Sequence, residues 1–412
     1  MLSGILKNEN VVCVLFLSAL IVRYRDAQKK NENNNRRNDA ENFFTVVLSD
    51  QKTDNIVKEA DCNHVTCKSA KNGGTNEMKP LIVVPFGDPA GIGPEITAKA
   101  MMDKDTFERA QCIVVGDRKI MEKAMQIVKS PQTLHIIQDP KEAVDDFTRV
   151  NFIDLNNIEM DKFAYGKVSA MCGQAAFEYI QRSIQLAMDR KVDAVTTTTI
   201  NKEALKMAGV PYIGHTEIFG GLTHTNDPLT LFEVHGMRIL FLSRHVPLRK
   251  ACDLVTKDRI IDYVHRGFDV LHQLGLKNPS MAIAGLNPHC GEHGILGTEE
   301  QTDVIPAVEA LKAEGYNVYG PIGADSVYWQ ALHGKYDSVL SLYHDQGHVA
   351  AKTVDFEKTV SITGGMPILR TSVDHGTAFD IAGTGVASPV SLIEAIRVAA
   401  KYAFSFSGRT SA

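Results

Sequence analysis

Three histidines stand just beyond the carboxyl ends of three apolar runs of strand length. Arg238 to Leu242 leads into Ser243-Arg244-His245, Met281 to Ala284 into Gly285-Leu286-Asn287-Pro288-His289, and Ser338 to Leu342 into Tyr343-His344-Asp345. The chain holds 14 histidines, and any one alone is more often exposed or satisfied within a core than functional. Three at equivalent strand ends match another pattern, neutral imidazoles around a divalent metal that keeps an open position. Zinc fits best, with magnesium, manganese or cobalt as alternatives. Asp325 and Asp345 are candidates to orient or supplement those ligands; a helix cap and a turn residue are their plainer readings.

A second group could hold an anion. Lys352 and Arg370 flank the glycine-containing stretch Ser361-Ile362-Thr363-Gly364-Gly365. Arginine grips phosphate or carboxylate with a planar fork, and lysine acts as a point charge. Gly214-His215-Thr216-Glu217 marks a loop-to-helix junction, where unpaired backbone N–H groups also attract anions. Each basic residue taken singly reads as a solvated surface charge; their closeness to the histidine loops is the argument for more.

The elements that must position these groups alternate strand with helix. Leu81 to Val84, Cys112 to Val115 and Val192 to Val195 are further strands; Pro94 to Met102, Ser169 to Arg190, Lys257 to Leu274, Glu299 to Glu314 and Ser391 to Phe404 are helices. This alternation predicts an α/β fold with a largely parallel sheet covered on both faces, ligands binding beyond the strands' carboxyl ends. Leu229 to Val234 and Met237 to Leu242, joined through His235-Gly236, predict a hairpin, so the sheet is mixed.

Composition sets the limits. The chain has 412 residues, 44% of them hydrophobic, and a net charge of -5 that leaves no cationic surplus for nucleic acid. Residues 1–77 differ from the rest, with no proline and 12 asparagines; their one apolar run, Val11 to Val22, is 12 residues long. A spanning helix needs about 20. The run resembles a signal-peptide core but lacks a small-residue cleavage site, so residues 1–77 read as an extension, upstream or targeting, ahead of a folded body at 78–412. Cysteines 112, 172, 252 and 290 lie far apart, which predicts small core residues of a reduced, cytoplasmic protein. Dinucleotide, P-loop, zincin and nucleophile-elbow fingerprints are absent; Pro94 spoils Gly91-Ile92-Gly93 as the first of these, and Gly383-Thr384-Gly385 follows no convincing strand.

Seven segments carry a resemblance: GDPAGIGPE (87–95), INKEAL (200–205), GHTE (214–217), SRHVPLR (243–249), GLNPHCGEHG (285–294), YHDQG (343–347) and RTSVDHGTAFDIAGTG (370–385). From about Lys79 onward the chain resembles the 4-hydroxythreonine-4-phosphate dehydrogenase (PdxA) family. The resemblance implies an isocitrate/isopropylmalate dehydrogenase-like fold, with two subdomains and the active site in the cleft between them. It also implies NAD-dependent, metal-assisted oxidation of the 3-hydroxyl of a 4-phosphorylated hydroxy acid, followed by decarboxylation. It assigns His245, His289 and His344 to a divalent metal shared between two subunits of a homodimer, and His215, Thr216, Lys352 and Arg370 to substrate. Ser361 stands where the family has a substrate-binding asparagine, and with the segments 346–352 and 355–365 it points to the branch acting on 4-phosphothreonate or 4-phosphoerythronate. Lys202 is a candidate for proton transfer and Asp325 for a catalytic role; the residues that bind NAD are not indicated. A three-histidine metallohydrolase of a phosphorylated small molecule and a catalytically silent, membrane-tethered binding protein are the competing readings. NAD consumption separates the first of these from a dehydrogenase.

Overall fold

The computed structural model describes residues 78–408; the 1–77 extension and its apolar run lie outside them. Twelve strands form one sheet: β1 (Leu81–Pro85), β2 (Gln111–Gly116), β3 (Thr133–Ile136), β4 (Arg149–Asp154), β5 (Ala194–Thr197), β6 (Leu229–Val234), β7 (Met237–Phe241), β8 (Met281–Ala284), β9 (Val318–Ile322), β10 (Ser338–Ser341), β11 (Val360–Gly364) and β12 (Arg370–Ser372). Their order is β3-β4-β2-β1-β5-β12-β11-β6-β7-β10-β8-β9. The first six in that order are mutually parallel, and so are the last four. Between these blocks the β12–β11, β11–β6 and β6–β7 pairings are antiparallel. Three reversals turn the second block against the first. The two halves expected to flank a cleft are therefore halves of one continuous sheet.

The sequence explains the layout. Central β1 is apolar along its length and almost wholly buried, as a parallel strand with both faces covered requires. In β7, Met237, Ile239 and Phe241 join a smaller core cluster with Phe232, Val327 and Tyr328, while Leu240 packs into the main core on the other face. The β6–β7 turn uses left-handed backbone at both His235 and Gly236, the geometry that matches strand twist. Helix Gly93–Met101 starts with proline in its first turn, as read from the sequence.

Several expectations need correction. Glu299 to Glu314 is not one α-helix: a π-helical turn, Glu300–Val304, precedes helix Ile305–Ala313, with Pro306 in the first turn of the new helix. The strand expected at Val192 to Val195 runs Ala194–Thr197, because four successive buried, β-branched threonines extend it and the loop after it. The glycine-containing stretch Ser361 to Gly365 lies mostly within strand β11. Of the four body cysteines only Cys172 is buried; Cys112, Cys252 and Cys290 are half-buried. Among the described residues no helix is long and apolar enough to cross a membrane.

The carboxyl-terminal helix, Val390–Ser407, is locked to the β6–β7 hairpin by a buried carboxylate. Glu233 accepts from Tyr402 Oη and from Lys401 Nζ at 2.7 Å, and lies 3.5 Å from Arg238 Nε. Glu233→Ala leaves half-buried Arg238 without its nearest carboxylate and Tyr402 Oη without its acceptor, and the expected loss is about 3–5 kcal/mol in urea unfolding. A midpoint equal to wild type would remove the network from the account of stability.

Candidate active site

Strand direction decides which residues meet. β7, β8 and β10 run the same way, so the loops carrying His245, His289 and His344 leave one edge of the sheet, as expected. β12 runs oppositely, which puts its amino end, and with it Arg370, at that same edge. Directly paired residues of antiparallel strands share a face. Arg370, Thr363 and Thr230 therefore form one row, and Ser372, Ser361 and Phe232 the next.

Arg370 is 4% exposed, and among the described residues no carboxylate pairs with it. Its Nη1 donates to Thr363 Oγ1 at 2.8 Å, its Nη2 donates to Thr197 Oγ1 at 2.9 Å, and the guanidinium lies over the Phe219 ring at 4.8 Å. Nε has no partner. Burial pulls its pKa down to about 9, because a charge removed from water is costly unless paired. Beside it His215, at the start of helix His215–Leu222, has a buried Nε2 without a partner among the described residues. Burial first, and then Arg370, hold His215 well below the usual histidine pKa. Thr216 follows it, half-buried. A guanidinium Nε and an imidazole nitrogen, both buried and without partners among the described residues, are what a polar anionic ligand would satisfy.

His245 and His344 come together, their ring centroids 5.9 Å apart. Arg244, His245, Pro247, Leu248, Tyr343 and His344 line an open pocket. His344 Nδ1 lies 2.6 Å from Asp345 Oδ1, so Nδ1–H donates to the carboxylate and leaves Nε2 free to ligate, the arrangement usual for metal-binding histidines. Partial burial, followed by Arg244, His344 and Lys202, lowers the His245 pKa and favours its neutral, ligating form. His289 is not gathered with them. Its side chain is 74% exposed, with Nδ1 3.4 Å from Glu292 Oε2, and among the described residues no three acidic, histidine or cysteine groups converge on a metal position.

The His289 loop is built rather than slack. Residues 289–293 all adopt left-handed backbone, unfavourable for the four that are not glycine. Buried Glu300 holds the base of the loop, accepting from the amides of Leu286 and Asn287 and from Asn287 Nδ2 at 2.7–2.8 Å. Gln346 bridges it to β10, donating to Gly285 O and accepting from Leu342 N.

The remaining candidates are dispersed. Lys352 forms a 2.6 Å ion pair with Asp374, outside hydrogen-bond angles, so it is not an open counterpart to Arg370. Lys202 is the exposed first residue of helix Lys202–Met207, close enough to His245 to depress its pKa. Asp325 is exposed in the first turn of helix Ala324–Leu332, on the Cys290 side; the cap position there belongs to Gly323. Gly383-Thr384-Gly385 is no nucleotide cradle: Glu95 fills it, accepting from both glycine amides. Sequence reasoning missed Thr197, Thr230, Thr363 and His348; the run Thr196 to Thr199 ending a buried strand was the one signal available.

The model for the family described as "Pyridoxal phosphate biosynthetic protein PdxA" matches residues 108–399. The chain belongs to the PdxA family. A relative from Clostridium botulinum, named "Putative D-threonate 4-phosphate dehydrogenase", is 55% identical over 328 residues, 80% of this chain and 98% of that one. Two PdxA-type crystal structures titled as 4-hydroxythreonine-4-phosphate dehydrogenases share the fold. The Klebsiella pneumoniae enzyme has 38% identity and a TM-score of 0.74, covering 80% of this chain and 99% of its own. The Burkholderia phymatum enzyme has 37% identity and a TM-score of 0.72, covering 79% and 98%. The 37–55% identity these three share with the chain puts the PdxA fold read from the seven motifs beyond question.

Buried neutral histidines make the free protein sensitive to acid. Unfolded histidine takes up a proton as pH falls below about 6.5, whereas His215 and His348 (the latter held at about 4 by burial) resist it in the fold. Their contribution is complete above pH 6.5 and lost as pH falls toward 4. Asp88, raised to about 6 by burial, acts in the opposite direction. His215→Asn is expected to flatten the pH dependence of unfolding free energy by about 1.4 kcal/mol per pH unit below 6.5. An identical slope would mean that His215 is protonated in the folded protein.

Proposed function

We propose that the chain is an NAD-dependent dehydrogenase of a 4-phosphorylated 3-hydroxy acid, oxidising the C3 hydroxyl with hydride passing to NAD and carbon dioxide lost from the β-keto acid. The observation that carries this reading is Arg370, a buried guanidinium whose hydrogen bonds among the described residues go to threonine hydroxyls alone. A buried cation without a counter-charge is costly until an anion compensates it, here the phosphate or carboxylate of the substrate. His215 and Thr216 would donate or accept beside it, and Lys352 would leave Asp374 or share it when substrate adds negative charge.

His245 and His344 fit a divalent cation, since Asp345 commits one nitrogen of His344 and leaves the other for ligation. Bound there, such a cation would supply Lewis-acid polarisation of the substrate hydroxyl. His289 stands exposed and apart, as a ligand offered to a second copy would, which supports a homodimer with the site shared between subunits. Arg370 and His215 would orient the substrate, and Lys202, exposed near His245, would exchange a proton with bulk water.

The 2-hydroxy acids 4-phosphothreonate and 4-phosphoerythronate are the preferred substrates in this reading. The name of the Clostridium botulinum relative supports it, and so does Ser361, half-buried on the face that carries Arg370. Serine offers a shorter reach and fewer donors than asparagine. Ser361→Asn is expected to shift the kcat/KM ratio toward 4-hydroxythreonine phosphate by about tenfold, the value of roughly one hydrogen bond. The test is NAD reduction by wild type and variant on both substrates and on 4-phosphoerythronate. An unchanged ratio would place substrate choice elsewhere.

A further inference from the structure

His348 has no place in the scheme above, yet it touches His344 in two ways. The rings stack with centroids 3.6 Å apart and planes 12° from parallel. His348 Nδ1–H also donates to the backbone carbonyl of His344, at 2.8 Å. On its other sides the His348 ring is braced by Phe232, centroid distance 4.4 Å and edge-on, and by Phe241 at 4.5 Å. Both phenylalanines belong to the smaller core cluster on strands β6 and β7. The spacing follows from the sequence: 344 and 348 are i and i+4 on helix His344–Val354 and so lie one above the other on the same face.

We propose that His348 is a positioning residue that fixes the ring plane of His344 for metal ligation. His344 is the first residue of its helix, and its side chain is 37% exposed. Asp345 fixes one ring nitrogen but itself projects into solvent, 78% exposed, and exerts weak leverage on ring orientation. The stack supplies what is missing, a flat surface backed by Phe232 and Phe241. A chain thus runs from the rigid sheet through His348 to the ring of His344, and outer contacts of this kind commonly change metal affinity by about 10–100-fold.

The inference rests on His344 being a metal ligand, and the experiment separates the two claims. Cobalt(II) is titrated into metal-free wild type, His344→Ala, His348→Leu and His348→Phe, read by the visible cobalt bands and by a competing chelator. Leucine fills space without a flat ring, and phenylalanine restores the stack without the nitrogen. His348→Leu is expected to bind cobalt about 10–100-fold more weakly, with altered bands, and His348→Phe to recover most of the affinity. The thermal midpoint of metal-free His348→Phe should match wild type. Wild-type affinity and bands in His348→Leu would overturn the role of His348. Wild-type affinity in His344→Ala would instead overturn the ligand assignment itself. Should His348→Leu fail to fold, His348→Gln, polar and ringless, decides on the same criterion.

Discussion

Replacing Arg370 with methionine is expected to make the ligand-free protein more stable and its turnover negligible. The guanidinium is buried, its pKa is drawn down to about 9, and only two threonine hydroxyls and an aromatic face compensate it. Exchanging such a charge for an apolar side chain of similar length removes a desolvation cost; about 1–3 kcal/mol of added stability is expected, less whatever Thr197 and Thr363 lose as acceptors. Loss of the proposed anion receptor should lower kcat/KM by about 100- to 1000-fold. Arg370→Lys should recover only part of that, because a point charge cannot replace the fork. Urea unfolding and steady-state kinetics on the same preparations check both halves. A destabilised variant with intact kcat/KM would make Arg370 a structural residue.

Alanine at His245 or His344 should remove bound metal and cut turnover by about a thousandfold, leaving the fold intact. The same is expected for His289, although the chain does not gather it with the other two. Subunit complementation tests that difference. Co-expressing His289→Ala with His344→Ala gives hybrid dimers in which one site receives all three histidines. Statistical mixing predicts recovery of about one quarter of wild-type activity, with bound metal returning in proportion. Metal contents near wild type in the single variants would remove the histidines from the metal site. Absence of recovery in the hybrids would remove the shared site.

What could be read in advance follows from how local each signal was. The three histidines were visible because each lies a few residues past an apolar run, a relation within one short segment. The surroundings of Arg370 were not. Thr197, Thr230 and Thr363 become its neighbours only through the order β5-β12-β11-β6, and β12 has just three residues, too few for a periodic signal. Strands β3 and β9 were missed because they are edge strands with little burial to pattern them. The Lys352–Asp374 pair joins residues from separate elements, so Lys352 looked like an open cation. The π-helical turn at Glu300 was signalled by Pro306, which the apolar periodicity of the segment concealed.

The most direct test is a stoichiometry. Purified full-length protein, supplied with a divalent cation, NAD and 4-phosphothreonate, should form reduced nicotinamide and carbon dioxide in equal amounts as substrate disappears, and should form neither from unphosphorylated threonate at the same concentration. Inorganic phosphate released with no nicotinamide reduced would contradict the account and establish a hydrolase. Bound substrate that is never consumed would contradict it as well, leaving a binding protein.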